Sequence, residues 1–340
     1  VDASSTAFNL DALVEHCKTD FIPHTILIDL TKSWEVAQLH VDWLSKGIHV
    51  VTANNLGLSS DLGLYYSIWH QRAETQANYA YEITVGGTMP VIATLNSLHS
   101  SGDTIERVEG ILSCTMGYVL SKVSPWEGEP MKFSDALVEV HKLGFTESDI
   151  MHDISGEDSA RKLLILSRDM GLELEMDQIQ IEPILDGIQV DHKDIQNSAK
   201  QYDEAVAKLS ADAKEKGMVL RYVSTIDGST GACRVGVIKV PISDRLARVT
   251  GIVYSVAFYT SRSGSTPMVV QSPAMPSTAG VFSDLIRVAR DLGARDTGNP
   301  RLKALRRHSF SVELGKKRGP ASPKSIGSDK RKKMSCYSEL

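Results

Sequence analysis

Two acidic residues and one lysine lie close to the start of a predicted helix in the middle of the chain. Asp158 and Lys162 are four residues apart, which places them on the same face of a helix. Glu147 lies in the polar loop that leads into that helix. Carboxylates can hold the ammonium group of a small substrate, and a lysine can exchange a proton with a reacting hydroxyl. The three residues therefore predict a binding site for a small amino compound.

The helix itself is predicted from a capping pattern and an apolar run. Ser155 has the position of an N-cap residue, and Asp158 would be its reciprocal partner. The apolar residues that follow recur at helical spacing, at Ala160, Leu163, Leu164 and Leu166. Spacing alone also permits a simpler interpretation, because an Asp–Lys pair of this kind is most often a surface pair that contributes roughly 0.2–0.5 kcal/mol.

The first hundred residues alternate predicted strands and helices. Strands are expected at 25–30, 49–52 and 79–85, and helices at 33–46 and 58–75. This order is typical of a doubly wound α/β sheet. A Rossmann fold opens with a Gly-rich turn, yet residues 1–25 contain no glycine. We therefore expect a partial dinucleotide-binding domain without the first Gly-rich βα unit.

The second half predicts an α+β domain with an open sheet. Its strands are expected at 105–112, 218–227, 232–240 and 250–259, and its helices at 133–144, 155–171 and 191–216. A last helix at 277–290 should return to the nucleotide-binding part. The predicted domains are a partial dinucleotide-binding domain at 1–103, a substrate and dimerisation domain at 104–275, the returning helix at 276–295 and a tail at 296–340.

Several sequence blocks resemble homoserine dehydrogenase, most closely the dehydrogenase half of the bifunctional aspartate kinase–homoserine dehydrogenase. The blocks are Tyr81–Pro90, Ser101–Asp103, Ile105–Tyr118, Leu143–Glu147 and Asp158–Leu166. The similarity runs in order from about Ile26 to about Leu292. It implies NAD(P)H-dependent interconversion of aspartate 4-semialdehyde and L-homoserine in threonine, methionine and isoleucine biosynthesis.

The resemblance also assigns roles to individual residues of the predicted substrate site. Lys162 matches the family's catalytic lysine, and Glu147 and Asp158 match the carboxylates that hold the substrate ammonium. Asp153 matches a supporting acid beside them. Thr115 lies where the family has a threonine that contacts the substrate.

Cofactor and cation sites follow from the same resemblance. The residues expected to face NADP or NAD are Thr31, Ser33, Thr52, Asn54 and Asn55. The residues that match a monovalent cation site, often occupied by sodium, are Glu82, Val85, Gly87 and Met89. Oxygen ligands suit such a hard cation. An ordinary strand-end acid is the alternative interpretation of Glu82.

Four departures from the family pattern predict impaired activity. Asn55 replaces a second active-site lysine, and Thr88 replaces a glycine. The loop from Glu147 to Asp153 lacks the family's two prolines and arginine, and residues 272–277 contain none of the glycines of the family's cofactor loop. The alternative function is a non-catalytic homologue that dimerises or binds an amino acid. A Gly-rich turn and a kinase-like region upstream, in frame, would favour the enzyme.

Composition agrees with a globular enzyme that binds a small substrate. The chain has 340 residues, 42% of them hydrophobic, and a net charge of −5. The sequence contains no run of eighteen apolar residues, so it predicts no membrane span. The four cysteines share no ligand or disulfide spacing, which favours a reducing compartment. The resemblance further implies a homodimer or larger oligomer, a fused or upstream aspartate kinase, and a cytoplasmic or plastid location.

The last forty residues differ from the rest in charge. They carry 12 Lys+Arg against 3 Asp+Glu and no apolar periodicity, so we expect a disordered basic tail. Such a tail can bind nucleic acid or act as a nuclear address. A solvated terminus unrelated to the enzyme is the simpler interpretation, and we expect no nucleic-acid partner.

Overall fold

A computed structural model describes residues 9–17 and 23–294. The predicted basic tail lies outside these residues. Helix α1 (Leu10–Cys17) precedes two sheets, and the described residues up to Leu292 belong to one compact unit. In this part of the chain, none of the helices combines the length and the apolar character needed to cross a bilayer.

The first sheet is parallel and confirms the predicted alternation of strands and helices. Its strands, in spatial order, are β1 (Ile26–Asp29), β2 (His49–Thr52) and β3 (Tyr79–Ala80). Helices α2 (Trp34–Ser45) and α3 (Leu62–Thr75) connect them. All four residues of the central strand β2 are buried. The carboxyl ends of parallel strands share one edge, so the turns after β1 and β2 lie side by side.

The second sheet has six strands and is almost wholly antiparallel. In spatial order the strands are β5 (Gln180–Glu182), β7 (Cys233–Pro241), β6 (Met218–Asp227), β4 (Ile105–Ile111), β8 (Val253–Thr260) and β9 (Met268–Pro273). Among the described strands of this second sheet, only β5 and β7 pair in parallel. The remaining helices are α4 (Val91–Ser100), α5 (Cys114–Val123), α6 (Phe133–Lys142), α7 (Ile150–Ile154), α8 (Glu157–Asp169), α9 (Ile195–Lys200), α10 (Asp203–Lys214) and α11 (Ser277–Asp291).

Helix α8 carries the predicted catalytic lysine, Lys162, and the predicted substrate-binding residue Asp158. Leu163, Leu164, Ile165 and Leu166 are all fully buried. Four consecutive residues point in different directions around a helix axis, so this turn is packed on several sides, and α8 packs against β6 and β7 as well as α4. Its opening turn is therefore held on a rigid support.

Helix α11 returns to the first sheet, as the sequence predicts. Val281 and Val288 pack with Val51 of β2 and with Ile83. A Cβ atom at Gly280 would lie 2.8 Å from the Ile83 side chain, so a larger residue there would push that side chain aside.

The prediction for the start of α8 was wrong. Ser155 is the C-cap of α7, and Gly156 is the N-cap of α8 with a φ of 85°. The two helices follow each other so closely that the linker needs a left-handed residue, which favours glycine. Asp158 is not a capping partner, because its carboxylate contacts other side chains.

Two other predicted elements are shorter than expected. The strand predicted at 79–85 ends at Ala80, and Glu82–Thr84 form a 3-10 turn. The helix predicted at 191–216 is divided into α9 and α10. Asp203 accepts hydrogen bonds from the backbone and hydroxyl of Ser134 at 2.8 and 2.9 Å, which anchors the start of α10 against α6. Strand β9 is not among the predicted strands.

Candidate active site

A cleft of about 330 Å³ lies at the carboxyl ends of β1 and β2. The turns after these strands, the segment around Gly87, the start of α8 and the first turn of α11 form its walls. Ligands of open α/β sheets bind outside the carboxyl ends of the strands. Four lining residues are charged: Lys32, Glu147, Asp158 and Lys162.

Lys162 and Asp158 form an ion pair one helical turn apart. The Lys162 Nζ lies 2.7 Å from Asp158 Oδ2 and donates to the Leu112 carbonyl at 3.1 Å. Burial opposes the charge on Lys162, but the adjacent carboxylate outweighs burial and raises the pKa of Lys162 well above its usual value. In the described part of the chain these contacts engage two of three ammonium donors, which leaves one for a ligand.

Asp158 is the centre of a wider polar cluster. Its Oδ1 accepts a hydrogen bond from Asn55 Nδ2 at 3.2 Å and lies 3.5 Å from Lys32 Nζ. Burial would raise the pKa of Asp158, but Lys162 and then Lys32 outweigh burial and lower it. The carboxylate therefore stays ionised in the folded protein.

Glu147 reaches the same cleft from the loop before α7. Its Oε2 lies 2.9 Å from Lys32 Nζ, so one ammonium joins acids from two separate elements. Asp153 accepts a hydrogen bond from the Glu147 backbone N–H at 2.8 Å, which holds the loop in place. Burial raises the pKa of Asp153 to about 7.

The loop between Glu147 and Asp153 has its own support in place of the missing prolines. Asp149 is the N-cap of α7 and accepts a hydrogen bond from the Met151 N–H at 2.9 Å. Thr115 donates to the Phe145 carbonyl at 2.7 Å. Thr115 and Asp153 are buried and hold the loop, but neither lines the cleft.

The turn after β1 is built on a buried Asp–His pair. Asp29 Oδ2 lies 2.9 Å from His40 Nε2, and Asp29 Oδ1 accepts hydrogen bonds from the backbone and hydroxyl of Thr31 at 2.8 and 2.7 Å. Asn54 donates to Asp29 at 3.0 Å and to the Ser33 carbonyl at 2.9 Å. Burial opposes ionisation of Asp29, yet the hydrogen bonds lower its pKa.

Only some of the predicted cofactor residues lie on the cleft wall. Thr31 and Asn55 line it. Ser33 is the N-cap of α2 and accepts a hydrogen bond from the Val36 N–H at 3.2 Å. Thr52 and Asn54 are fully buried, and Thr52 accepts the Asn54 N–H at 2.9 Å. These last three residues shape the turns that face the cleft.

Glu82 is bonded to the start of helix α4. Its two oxygens accept hydrogen bonds from the Ile92 and Ala93 N–H groups at 2.7 and 2.9 Å, and Oε2 lies 2.9 Å from Arg287 Nη1. A carboxylate at a helix N-terminus satisfies otherwise unpaired donors. These contacts explain why Glu82 is buried without invoking a cation, and the sodium site stays a prediction.

The segment that carries the other predicted cation ligands keeps its turn despite the lost glycine. Gly86 and Gly87 have φ values of 77° and 64°, whereas Thr88 adopts no left-handed backbone. Val85 and Met89 are buried, and Gly87 lines the cleft. The replacement of glycine by Thr88 therefore introduces no backbone strain.

Sequence reasoning missed Lys32 and Tyr254. The signal that could have identified Lys32 is its residue type, because it places a cation within the Asp29–Ser33 turn. The Tyr254 ring lies 5.7 Å from Lys162 Nζ and covers one side of the ammonium. Nothing in the pattern of β8 indicates that the side chain of Tyr254 faces a cleft. The first turn of α11 contributes Ser277 and Thr278, although its preceding loop contains no glycine.

Two family models match this chain. The model described as homoserine dehydrogenase matches residues 90–286, and the one described as homoserine dehydrogenase, NAD binding domain, matches residues 2–82. The second match begins well before Ile26, so the similarity extends closer to the amino terminus than the sequence blocks indicated.

Named relatives agree with the family models. The chloroplastic bifunctional aspartokinase/homoserine dehydrogenase 2 of Arabidopsis thaliana is 36% identical over 81% of this chain and 30% of its own length. The homoserine dehydrogenase of Emericella nidulans is 34% identical over 79% of this chain and 76% of its own length. The chain thus spans less than a third of the plant relative.

A solved structure shows the same fold. A Candida auris protein of unknown function superimposes with a TM-score of 0.76 and 30% identity, over 84% of this chain and 82% of its own. The family models and the Emericella nidulans relative cover both sheets of the molecule. This chain belongs to the homoserine dehydrogenase family.

Proposed function

We propose that this chain interconverts aspartate 4-semialdehyde and L-homoserine with NADP or NAD as the hydride carrier. One observation carries the proposal: Lys162, Asp158 and Glu147 lie together in one cleft at the carboxyl edge of a parallel sheet. Lys162 and Asp158 are 2.7 Å apart there, with side chains only 13% and 8% exposed.

Lys162 would stabilise the oxygen that gains charge when the aldehyde is reduced. Because Asp158 keeps the lysine protonated, the ammonium is a fixed positive charge at the reacting oxygen. Its remaining N–H can donate a hydrogen bond to that oxygen in both directions of the reaction. The proton that completes the alcohol would come from solvent, and it would return to solvent when homoserine is oxidised. The Lys162 side chain is only 13% exposed, and a preorganised donor in such a site is more effective than it would be in bulk water.

Glu147 and Asp158 would hold the substrate ammonium, and Asp153 would position Glu147. The supporting contact is the 2.8 Å hydrogen bond from the Glu147 N–H to Asp153. Thr115 would act in the same way through the Phe145 carbonyl. This arrangement separates the residues that touch substrate from the residues that hold the loop.

The cleft fits the nicotinamide end of the cofactor. Thr31 lies at the carboxyl end of β1, and the neighbouring Leu30 is 58% exposed and offers an apolar wall for a planar ring. The nicotinamide supplies or accepts the hydride when it is bound. Ser33, Thr52 and Asn54 would hold the turns in the shape that the ring requires, and Asn55 would face it.

The domain division and the partners extend the proposal. The two sheets and the returning helix α11 support domains at 1–103, 104–275 and 276–295.

The bifunctional relatives support a fused or upstream aspartate kinase, and the open second sheet supports a homodimer. A cytoplasmic or plastid location agrees with relatives that are chloroplastic by name.

Reduction of aspartate 4-semialdehyde by NADPH tests the proposal. Lys162→Met should reduce the turnover of the chain by about 10²–10³-fold, the usual effect of removing one donor to a developing oxyanion. Lys46→Met is the matched control, because Lys46 pairs with Asp42 at 3.0 Å on helix α2, away from the cleft. Equal turnover in the two variants would contradict the assignment of Lys162.

A further inference from the structure

The cleft already contains an ammonium group at the acids assigned to the substrate. Lys32 Nζ lies 2.9 Å from Glu147 Oε2 and 3.5 Å from Asp158 Oδ1. These carboxylates come from the loop before α7 and from helix α8, and Lys32 comes from the turn after β1. The convergence of two acids from separate elements on one lysine is the geometry expected for a bound ammonium.

Charge counting in the cleft supports this view. The charged side chains on its wall are Lys32, Lys162, Glu147 and Asp158, so the positive and negative groups cancel. Lys162 engages Asp158 Oδ2, while Lys32 engages Asp158 Oδ1 and Glu147. Among the described lining residues, no acid is left unpaired for an added cation.

Asn55 explains how Lys32 can occupy this place. Its neutral Nδ2 donates to the same Asp158 Oδ1 that Lys32 approaches. A lysine at position 55 would place a second ammonium beside the first and would repel it. The neutral side chain at position 55 therefore allows the Lys32 ammonium to approach Asp158.

Lys32 is also able to leave. Its side chain is 52% exposed, whereas Asp158 is 8% exposed. Ion pairs with an exposed partner are worth only roughly 0.2–1 kcal/mol. The acids stay in place on their supports while the lysine can move into solvent.

We propose that the Lys32 ammonium occupies the acids that would bind a substrate ammonium, Glu147 and Asp158. A ligand with an α-ammonium must displace Lys32 from these acids. A ligand of the same shape without an α-ammonium need not displace it. This inference rests on the proposed function for the identity of the acids. Homoserine remains a ligand, but it binds in competition with Lys32.

Calorimetric titration of a matched ligand pair tests the inference. L-Homoserine and 4-hydroxybutyrate differ only in the α-amino group. Lys32→Met should tighten homoserine binding about 3- to 10-fold, because the fraction of free acids rises when the competitor is removed. The affinity for 4-hydroxybutyrate should change less than about 2-fold by the same relation. Lys46→Met should change neither affinity.

Chemical labelling gives a measurement that needs no substrate. Acetylation of Lys32, followed by mass spectrometry, should accelerate about 2- to 5-fold in Glu147→Gln, since one partner of the ammonium is lost. Acetylation of Lys46 in the same sample is the internal reference. Homoserine should also accelerate labelling of Lys32 by displacing it, whereas 4-hydroxybutyrate should not.

Three results would overturn the inference: unchanged or weaker homoserine binding in Lys32→Met, protection of Lys32 by homoserine, or a labelling rate that ignores Glu147→Gln. If neither ligand binds any variant, the proposed function fails. Labelling then decides the inference alone, because faster acetylation in Glu147→Gln supports the pairing and an unchanged rate refutes it.

Discussion

The Nζ of Lys162 lies 2.7 Å from Oδ2 of Asp158, and both side chains are almost enclosed by the protein. The pair spans the first two turns of α8, and the four residues that follow Lys162 are fully buried. The proposed catalytic cation and the acid that keeps it charged are therefore set on a firmly packed helix. This relationship leads to the first prediction.

Lys162→Met should lower the free energy of unfolding by about 1–3 kcal/mol. Breaking a buried ion pair commonly costs about 3–5 kcal/mol, but Asn55 and Lys32 still contact Asp158 and reduce the loss. Urea unfolding at pH 7 measures the effect. Asp158→Asn and the double variant complete a double-mutant cycle. The double variant should lose less free energy of unfolding than the sum of the losses in the single variants. Additive losses would show that the two residues are not coupled.

Asp153 should make the stability depend on pH between about 4 and 7. Burial raises the pKa of its carboxyl to about 7, whereas an unfolded aspartate titrates near 4. The folded protein binds more protons in this range, so the stability that protonated Asp153 contributes is complete below about pH 4 and is lost as the pH rises through 7.

Asp153→Asn removes that titration and should flatten the stability profile. Relative to this variant, the natural chain should lose on the order of 1–4 kcal/mol between pH 4 and pH 7. Thermal or urea unfolding across the range provides the measurement. Asp186→Asn, at an exposed position, is the control and should leave the profile unchanged. A constant difference between the natural chain and Asp153→Asn would contradict a raised pKa.

Asn55→Lys should increase the turnover of the chain. The substitution restores a cation beside the developing charge, and one such group is commonly worth about 10²–10³ in rate. Because Lys32 approaches the same oxygen of Asp158, the gain should be larger when Lys32 is replaced by Met. NADPH oxidation with aspartate 4-semialdehyde measures both variants. Equal gains in the two backgrounds would mean that the lysines do not share a site.

Glu82→Gln should destabilise the protein by about 1 kcal/mol through loss of the helix contact. The amide offers one acceptor oxygen where the carboxylate now serves two N–H groups of α4 and the Arg287 guanidinium. Unfolding in sodium chloride and in choline chloride measures the loss. We expect similar values in both salts for this helix contact; an additional loss confined to sodium would establish the predicted cation site.

The sequence predicts the elements of this fold well where the pattern is regular. Strand β2 and helix α3 follow from short apolar runs and helical spacing. The predicted start of α8 is wrong because serine is a common N-cap residue type, and Ser155 therefore looks like a cap in the sequence. The boundary is set instead by the left-handed backbone of Gly156, which lies next to the Tyr222 hydroxyl. Tertiary packing, which no local pattern reports, decides such a boundary.

The candidate site was predictable through resemblance but only partly through physics. Lys162, Asp158 and Glu147 were identified, and the structure brings their side chains into one cleft. Lys32 lies 126 residues from Asp158 in the sequence, so only the fold reveals their contact. The same holds for Tyr254, which comes from the second sheet to cover the ammonium of Lys162.

The most direct test of the account is calorimetric titration of L-homoserine into the natural chain and into Glu147→Ala. Loss of one charged hydrogen-bond partner should weaken binding by roughly 10- to 100-fold. Glu204→Ala removes an exposed acid from α10 and is the control. Binding that is abolished or strongly weakened only in Glu147→Ala would place the substrate in this cleft. Equal affinity in all three proteins would contradict the central claim.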